Sequence, residues 1–240
     1  MVGRVDGEIL TPTAAESHGP ADADAITAAA RLIGSAKKPV LLLGLLASGK
    51  SAAEAIRGLL AKTKLPVVCT YQGAGVVPRE HFERFGGRIG LFHTQPADKL
   101  LDAADVVVTV GHDPIEYEPS LWNQGKKRNL IHIDAVSADI DKDYRPQLEL
   151  TGNIAATLRA LAAQIDPQTV PADTALLSEV ARDRAILAER AALNGVPIHP
   201  MRLAHELQAL VSDDMTLCLD MGSFHIWLAR HLYAFVPGRS

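Results

Sequence analysis

Residues 85–123 read FGGRIGLFHTQPADKLLDAADVVVTVGHDPIEYEPSLWN, a glycine-rich turn, a helix and a strand followed by a polar loop. The turn is Gly86–Gly90, the helix is predicted at Pro96–Ala104, and the strand at Val106–Val110 ends at Gly111. A strand that stops at glycine and releases a polar loop is typical of open α/β sheets, whose ligands bind outside the carboxyl ends of parallel strands. A surface loop that only turns the chain is the alternative.

Apolar runs of strand length recur on both sides of this segment and are separated by runs with helical spacing. The predicted strands are 40–43, 67–70, 106–110, 130–133 and 148–150, and the predicted helices are 22–36, 51–62, 96–104 and 154–165. Strands that alternate with helices at this spacing favour an α/β fold with a doubly wound parallel sheet. We therefore assign residues 21–165 to one α/β domain.

The flanking parts of the chain are organised differently. Residues 1–20 have no periodicity and are expected to form an extended lead-in. Residues 166–195 are predicted to be a linker with a charged helix, in which Arg184 lies on a solvated face. Residues 196–240 are predicted to contain a helix, a strand at 215–219 and a second helix at 224–233. We expect this part to be the truncated start of a second α/β domain.

Composition excludes several classes of protein. The chain has 240 residues and a formal net charge of -4, which gives no general attraction to nucleic acid or to an anionic membrane. No apolar run has membrane-spanning length, and a cytoplasmic location is expected. Cys69 and Cys218 both fall in predicted buried strands, where they are expected to be inert thiols.

One motif suggests a different function. Residues 44–51 read GLLASGKS and match the phosphate-binding P-loop pattern between a predicted strand and a predicted helix. In that reading the loop N–H groups hold phosphates, Lys50 contacts the terminal phosphates and Ser51 binds Mg²⁺. The apolar loop interior and the lack of a second acidic motif argue against it. The alternative is a tight strand-to-helix turn capped by Ser48 or Ser51.

Four segments of the chain resemble one family when they are taken in order. They are KPVLLLGLLAS from Lys38, LPVVCTYQGAGVV from Leu65, residues 85–123 as quoted above, and DMGSFHIWLAR from Asp220. Together they closely resemble the catabolic acetolactate synthases, thiamine-diphosphate enzymes of the acetohydroxyacid synthase and pyruvate oxidase group. The resemblance implies that the chain is a fragment, covering the central domain and the start of the carboxyl-terminal diphosphate-binding domain. It departs from the family at residues 48–51.

The resemblance also implies a chemistry and its partners. The family condenses two pyruvates to 2-acetolactate and carbon dioxide, using thiamine diphosphate and Mg²⁺, in dimers or tetramers. Its catalytic glutamate and its metal ligands lie outside the part that this chain resembles, so no catalytic residue and no metal ligand are expected here. The matching cofactor-binding residues are Gly222, Ser223, Phe224 and His225, at a helix N-terminus that would favour the cofactor diphosphate. The fragment alone is expected to be inactive.

Other polar residues carry weaker expectations. Flavin-binding relatives hold FAD with segments that match 88–94 and 133–134, but the loop after Gly111 resembles the flavin-free enzymes, so we expect no FAD.

Asp134 could bind a ribose hydroxyl, and we favour a cap of the next turn instead. Glu116 and Glu118 could form a paired-carboxylate site, and a solvated edge or subunit contact is the favoured alternative. His93, His112 and His132 have no metal-ligand spacing among themselves. A non-catalytic α/β scaffold is the third functional hypothesis.

Overall fold

The computed structural model describes residues 18–90, 95–167, 174–192, 194–220 and 222–237. The strands are β1 (Pro39–Leu43), β2 (Val67–Cys69), β3 (Phe85–Arg88), β4 (Val106–Val110), β5 (Asn129–Asp134) and β6 (Leu148–Thr151). The α-helices are α1 (Ala23–Ser35), α2 (Lys50–Lys62), α3 (Pro96–Ala103), α4 (Pro119–Trp122), α5 (Ile154–Gln164), α6 (Thr174–Ala191), α7 (Pro200–Leu210) and α8 (Ser223–His231). Two 3-10 helices lie at Leu45–Ser48 and Arg79–Arg84.

The six strands form one parallel sheet in the order β3-β2-β1-β4-β5-β6. The predicted α/β fold with a parallel sheet is therefore confirmed, and the five predicted strands lie within about two residues of their expected positions. The strand order reverses between β1 and β4. In open α/β sheets a reversal of this kind opens a crevice at the carboxyl ends of the two strands, where ligands commonly bind.

Helices cover both faces of the sheet. Leu41 and Leu43 of β1 point into a core made with α1, α2 and α5, whereas Val40 and Leu42 point into a second core with α3 and α6. All five residues of β1 are buried, which explains why the strand is a continuous apolar run rather than an alternating one. Asp22 caps α1 by accepting from the N–H groups of Asp24 and Ala25.

The glycine-rich turn expected at the start of residues 85–123 is instead an edge strand, and that prediction is wrong. Phe85–Arg88 forms β3 and pairs in parallel with β2. Glycine weakens a strand, but it also allows close packing on the sheet. A Cβ at Gly86 would lie 2.1 Å from Leu100 Cδ1, so glycine lets α3 pack directly on the strand.

The strand predicted at 215–219 does not form, and only the helical half of the second predicted unit is present. Residues 215–220 have no regular structure, and the single sheet of the described chain supplies no neighbour for them. A strand without a neighbour leaves its N–H and C=O groups without ladder partners, which explains the difference. Cys218 is consequently exposed rather than buried, whereas Cys69 is buried as predicted and burial raises its pKa to about 12.

The charged helix is confirmed as α6, but Arg184 does not lie on a solvated face. Its guanidinium carbon lies 4.3 Å from the centre of the Phe82 ring, and it donates to the carbonyl of Phe85. Most of the predicted lead-in, residues 1–17, lies outside the described residues. None of the helices in the described ranges is long and apolar enough to cross a membrane.

Candidate functional site

The crevice between β1 and β4 is closed by the side chain of Glu116. Its Oε1 accepts from the N–H groups of Leu45 and Asp113, both at 3.0 Å, and its Oε2 accepts from Thr70 Oγ1 at 2.5 Å. These donors follow β1, β4 and β2, so one carboxylate joins three strand ends. The expected solvated edge is therefore wrong for Glu116, although Glu118 is exposed. The two carboxylates do not form a paired site.

Most N–H groups of the loop after β1 are already engaged and cannot cradle a phosphate. The N–H groups of Leu45, Leu46, Ala47 and Gly49 already donate to Glu116 Oε1 and to the carbonyls of Gly111, Gly44 and Leu46. A P-loop needs such groups to point at the ligand. The loop is a 3-10 turn, and α2 starts after Gly49 with no side-chain cap, so the capping Ser48 or Ser51 is not observed. The geometry does not support the nucleotide-binding alternative.

ATP with Mg²⁺ is therefore expected to show no measurable binding, meaning a Kd weaker than about 1 mM. Calorimetry on the purified protein measures this. Lys50 is exposed at the start of α2, so Lys50→Ala should leave the free energy of unfolding within about 0.5 kcal/mol of the wild type. A micromolar ATP affinity that is lost in Lys50→Ala would contradict the prediction.

A buried polar and aromatic cluster lies under the carboxyl ends of β4 and β5. The Tyr144 hydroxyl is 2.7 Å from Thr109 Oγ1 and 2.9 Å from His132 Nδ1, and His132 Nε2 lies 3.1 Å from the Val136 carbonyl. These contacts satisfy His132 without a ligand. Across the described ranges no group of three or more His, Cys, Asp or Glu residues is placed to hold a metal ion. His93 lies outside the described residues.

His112 belongs to the same cluster and is only 2% exposed. Its ring packs edge-on against Trp122 at 6.0 Å, and its burial lowers its pKa, with His132 acting in the same direction and Glu116 and Asp113 opposing it. Because the folded protein keeps this histidine neutral, the imidazole takes up a proton on unfolding when the pH is below its unfolded pKa of about 6.5. Its contribution to the free energy of unfolding is therefore present above that pKa and is lost as the pH falls below it.

The measurable result is a difference in pH dependence. Between pH 7 and pH 5 the wild type should lose stability with a slope of up to about 1.4 kcal/mol per pH unit from this residue. His112→Phe keeps an aromatic ring and cannot be protonated, so it should lose less over the same interval. Urea unfolding at several pH values measures both slopes. Parallel curves for the two proteins would refute the assignment.

Asp134 caps the turn that follows β5. Its Oδ1 accepts from the N–H groups of Ala135 at 2.6 Å and Val136 at 3.4 Å. The favoured reading of Asp134 as a cap is therefore confirmed. Residues 91–94 of the flavin-type segment lie outside the described residues, and Arg88 at its start is engaged by α8.

The four predicted cofactor-binding residues lie together at the N-terminus of α8. Gly222 precedes the helix, Ser223 starts it, and the N–H of His225 donates to the Gly222 carbonyl at 3.1 Å. Gly222, Ser223 and Phe224 are exposed and His225 is half-buried. The φ angle of Gly222 is 162°, which is extended backbone, and nothing lies within 4 Å of the position that a Cβ would take.

This helix end has the properties that an anion needs. No side chain caps it, and its first turn contains no acidic residue. The N–H groups of Ser223 and Phe224 have no acceptor within the helix, and the helix dipole favours negative charge there. A diphosphate could be held by these N–H groups, with Ser223 Oγ and the His225 imidazole as further donors. The residues present therefore fit the cofactor that the resemblance implies.

The body of α8 is packed against the carboxyl end of β2. The rings of Tyr71, which follows β2, and His225 lie 6.4 Å apart, and both residues line a cavity of about 180 Å³ together with Arg88. From the sequence alone, Tyr71 has no assigned role and Arg88 is included only as the start of the flavin-type segment 88–94. One feature of the sequence could have pointed to Arg88. It is a charged residue that follows apolar and glycine positions in an edge strand, and a buried charge of this kind requires a partner.

Comparison with known proteins identifies the family of the chain. The profile described as thiamine pyrophosphate enzyme, central domain, matches residues 26–161. The catabolic acetolactate synthase of Raoultella terrigena is 41% identical over 236 residues, which are 97% of this chain and 42% of that protein. The acetolactate synthase of Bacillus subtilis is 40% identical over 93% of this chain and 40% of its own length. A probable acetolactate synthase of Mycobacterium bovis is 30% identical over 92% of this chain. The chain thus spans about two fifths of the length of the first two relatives.

Proposed function

Because the chain belongs to the thiamine pyrophosphate enzyme family and carries its central domain, we propose that the full-length protein is an acetolactate synthase. Its reaction joins two pyruvates and one proton to give 2-acetolactate and carbon dioxide. The observation that carries the proposal is the identity of 41% and 40%, over nearly the whole chain, to two proteins named acetolactate synthase. One of them is named as catabolic, which agrees with the resemblance of residues 112–123, the loop after Gly111.

The contribution of this chain to the reaction is to bind and orient the cofactor. Gly222, Ser223, Phe224 and His225 would hold the diphosphate through N–H groups and two side chains at the N-terminus of α8. Thiamine diphosphate, once bound, supplies the carbon–carbon chemistry itself. No residue of this chain is assigned a catalytic step, and the Mg²⁺ ligands and catalytic glutamate are assigned to other parts of the full-length protein.

The same proposal includes the partners and organisation of the full-length protein. Pyruvate is its substrate, it is a cytoplasmic homo-oligomer, and its central domain is flavin-free. Residues 21–165 form the central domain, 166–195 form the linker, and 196–240 begin the diphosphate-binding domain. The scaffold hypothesis then applies only to the isolated chain, which we expect to be inactive by itself.

The proposal is tested with the full-length enzyme supplied with thiamine diphosphate and Mg²⁺. Proton NMR of the products should show one 2-acetolactate for every two pyruvates consumed, and a separate assay of evolved gas should show one carbon dioxide released. Chelation and removal of the cofactor should abolish the reaction, and the chain 1–240 should produce no 2-acetolactate. Acetaldehyde or acetate as the sole organic product would assign the protein to another reaction of the family.

A further inference from the structure

The C-terminal end of α8 is closed by an arginine from the central sheet. Arg88 is the last residue of β3 and is only 9% exposed. Its Nη1 donates to the carbonyl of Ala229 and, at 2.9 Å, to the carbonyl of Leu232. The last carbonyls of a helix have no N–H donor within the helix, and the helix dipole favours a cation near that end. One side chain thus satisfies the Ala229 carbonyl in the last turn of α8 and the carbonyl of Leu232, the residue that follows the helix.

The usual partner of the Ala229 carbonyl is engaged elsewhere. Continued helix would pair it with the N–H of Tyr233, but that N–H donates to Gln208 Oε1 at 2.5 Å. Gln208 Nε2 in turn donates to the Tyr233 carbonyl at 3.1 Å. The chain therefore leaves the helix at this point. The Leu228 carbonyl still accepts from the Leu232 N–H at 2.8 Å, whereas the Ala229 carbonyl accepts from Arg88 instead.

Part of the remaining packing of α8 is apolar. Leu228 and Leu232 pack on Ala204 of α7, with Leu207 and Leu217 at the edge of this cluster. Dispersion contacts of this kind are not directional, so they limit the position of a helix along its axis less strictly than hydrogen bonds do. Two hydrogen bonds from a buried guanidinium supply that restraint, because its donors are held in a rigid planar group.

We propose that Arg88 is a positioning residue for the cofactor: it fixes α8 along its axis and so places the N–H groups at Gly222 and Ser223. This inference rests on the proposed function, because it takes the turn at Gly222 to be the diphosphate site. At 1.5 Å per residue, the turn lies about 10 Å from Ala229, so Arg88 acts through the helix rather than on the ligand.

The test measures cofactor affinity in the full-length enzyme. Arg88→Gln should raise the Kd of thiamine diphosphate with Mg²⁺ about tenfold, the equivalent of one hydrogen bond to a charged group. The KM for pyruvate at saturating cofactor should change little. Arg88→Lys keeps the charge but lacks the planar donor group, so an intermediate increase in Kd is expected. Arg88→Lys also serves as the test variant should Arg88→Gln not fold.

Arg84 offers a matched control, because its Nη1 donates to the carbonyls of Leu60 and Thr63 at the C-terminal end of α2. Arg84→Gln should lower thermal stability and leave the cofactor Kd unchanged. A wild-type Kd in folded Arg88→Gln or Arg88→Lys, or an equal rise in Arg84→Gln, would overturn the inference. If Gly222→Val lost cofactor affinity and the Arg88 variants did not, only the role of Arg88 would be refuted. A wild-type Kd in Gly222→Val would refute the site itself.

Discussion

Replacing Gly222 by valine in the full-length enzyme is expected to weaken thiamine diphosphate binding by about 10- to 150-fold. This range corresponds to the loss of one charge-assisted hydrogen bond, about 1.5–3 kcal/mol. The KM for pyruvate at saturating cofactor should change less, because the substituted position is proposed to contact only the diphosphate. Calorimetric titration of the apoenzyme with the cofactor and Mg²⁺ measures the Kd.

The expected loss of cofactor affinity arises because valine obstructs the ligand, not because it disturbs the fold. Gly222 has extended backbone with a φ of 162°, which any residue can adopt, and the space around it is open. A Cβ at this position therefore has open space around it within the described residues, and the valine side chain would occupy the space through which an anion would approach the N–H groups of Ser223 and Phe224. His225→Ala should cost less than Gly222→Val if backbone donors provide most of the contact.

Gly49 provides the control for the helix itself. It also precedes a helix without a side-chain cap, and a Cβ there would lie 3.5 Å from the Leu46 carbonyl oxygen, which is an ordinary contact. Gly49→Val should therefore reproduce any general cost of valine at an N-cap while leaving the cofactor Kd unchanged. Wild-type affinity in a folded Gly222→Val enzyme would show that the turn is structural only.

The strands that sequence predicts well are those whose pattern depends on burial alone. Val106–Val110 is buried at every position and was predicted with its observed bounds. Pro39–Leu43 is buried by helices on both faces and reads as an apolar run for the same reason. The N-cap of α1 could also be predicted, because an aspartate side chain reaches only the N–H groups two or three residues ahead.

The two errors about strands have the same origin, since a strand needs a neighbour that its own sequence does not specify. Phe85–Arg88 has two glycines and low strand propensity, yet it pairs with β2 because α3 covers it. Residues 215–219 have high strand propensity, yet the described chain offers them no strand to pair with. Tertiary contacts outweigh local preference in both cases.

The roles of Glu116 and Arg88 also could not be predicted, because they depend on distant segments. Glu116 accepts from Leu45 and Thr70, which lie 71 and 46 residues away along the chain. Arg88 donates to carbonyls 141 and 144 residues away. The turn at Gly222 was identified through its resemblance to a family, and its exposed, uncapped helix end is consistent with that assignment.

Glu116→Ala is expected to lower the free energy of unfolding by about 2–4 kcal/mol. The substitution removes the acceptor for three donors, at Leu45, Asp113 and Thr70, which join the ends of three strands. Because Glu116 is half-buried rather than fully buried, water can satisfy part of what is lost, which keeps the effect below the sum of three such bonds. Urea unfolding of the wild type and the variant measures the difference.

Two further variants separate the hydrogen bonds from the charge. Glu116→Gln keeps an acceptor for the N–H groups and can donate to Thr70 Oγ1, so it should cost less than Glu116→Ala, about 1 kcal/mol. Glu118→Ala removes an exposed carboxylate two residues away and should stay within about 0.5 kcal/mol of the wild type. If Glu116→Ala were no more destabilising than Glu118→Ala, the carboxylate would not hold the strand ends together. The crevice between β1 and β4 would then be closed by the contact of Gly44 with Gly111 and His112, which leaves no space for a Cβ.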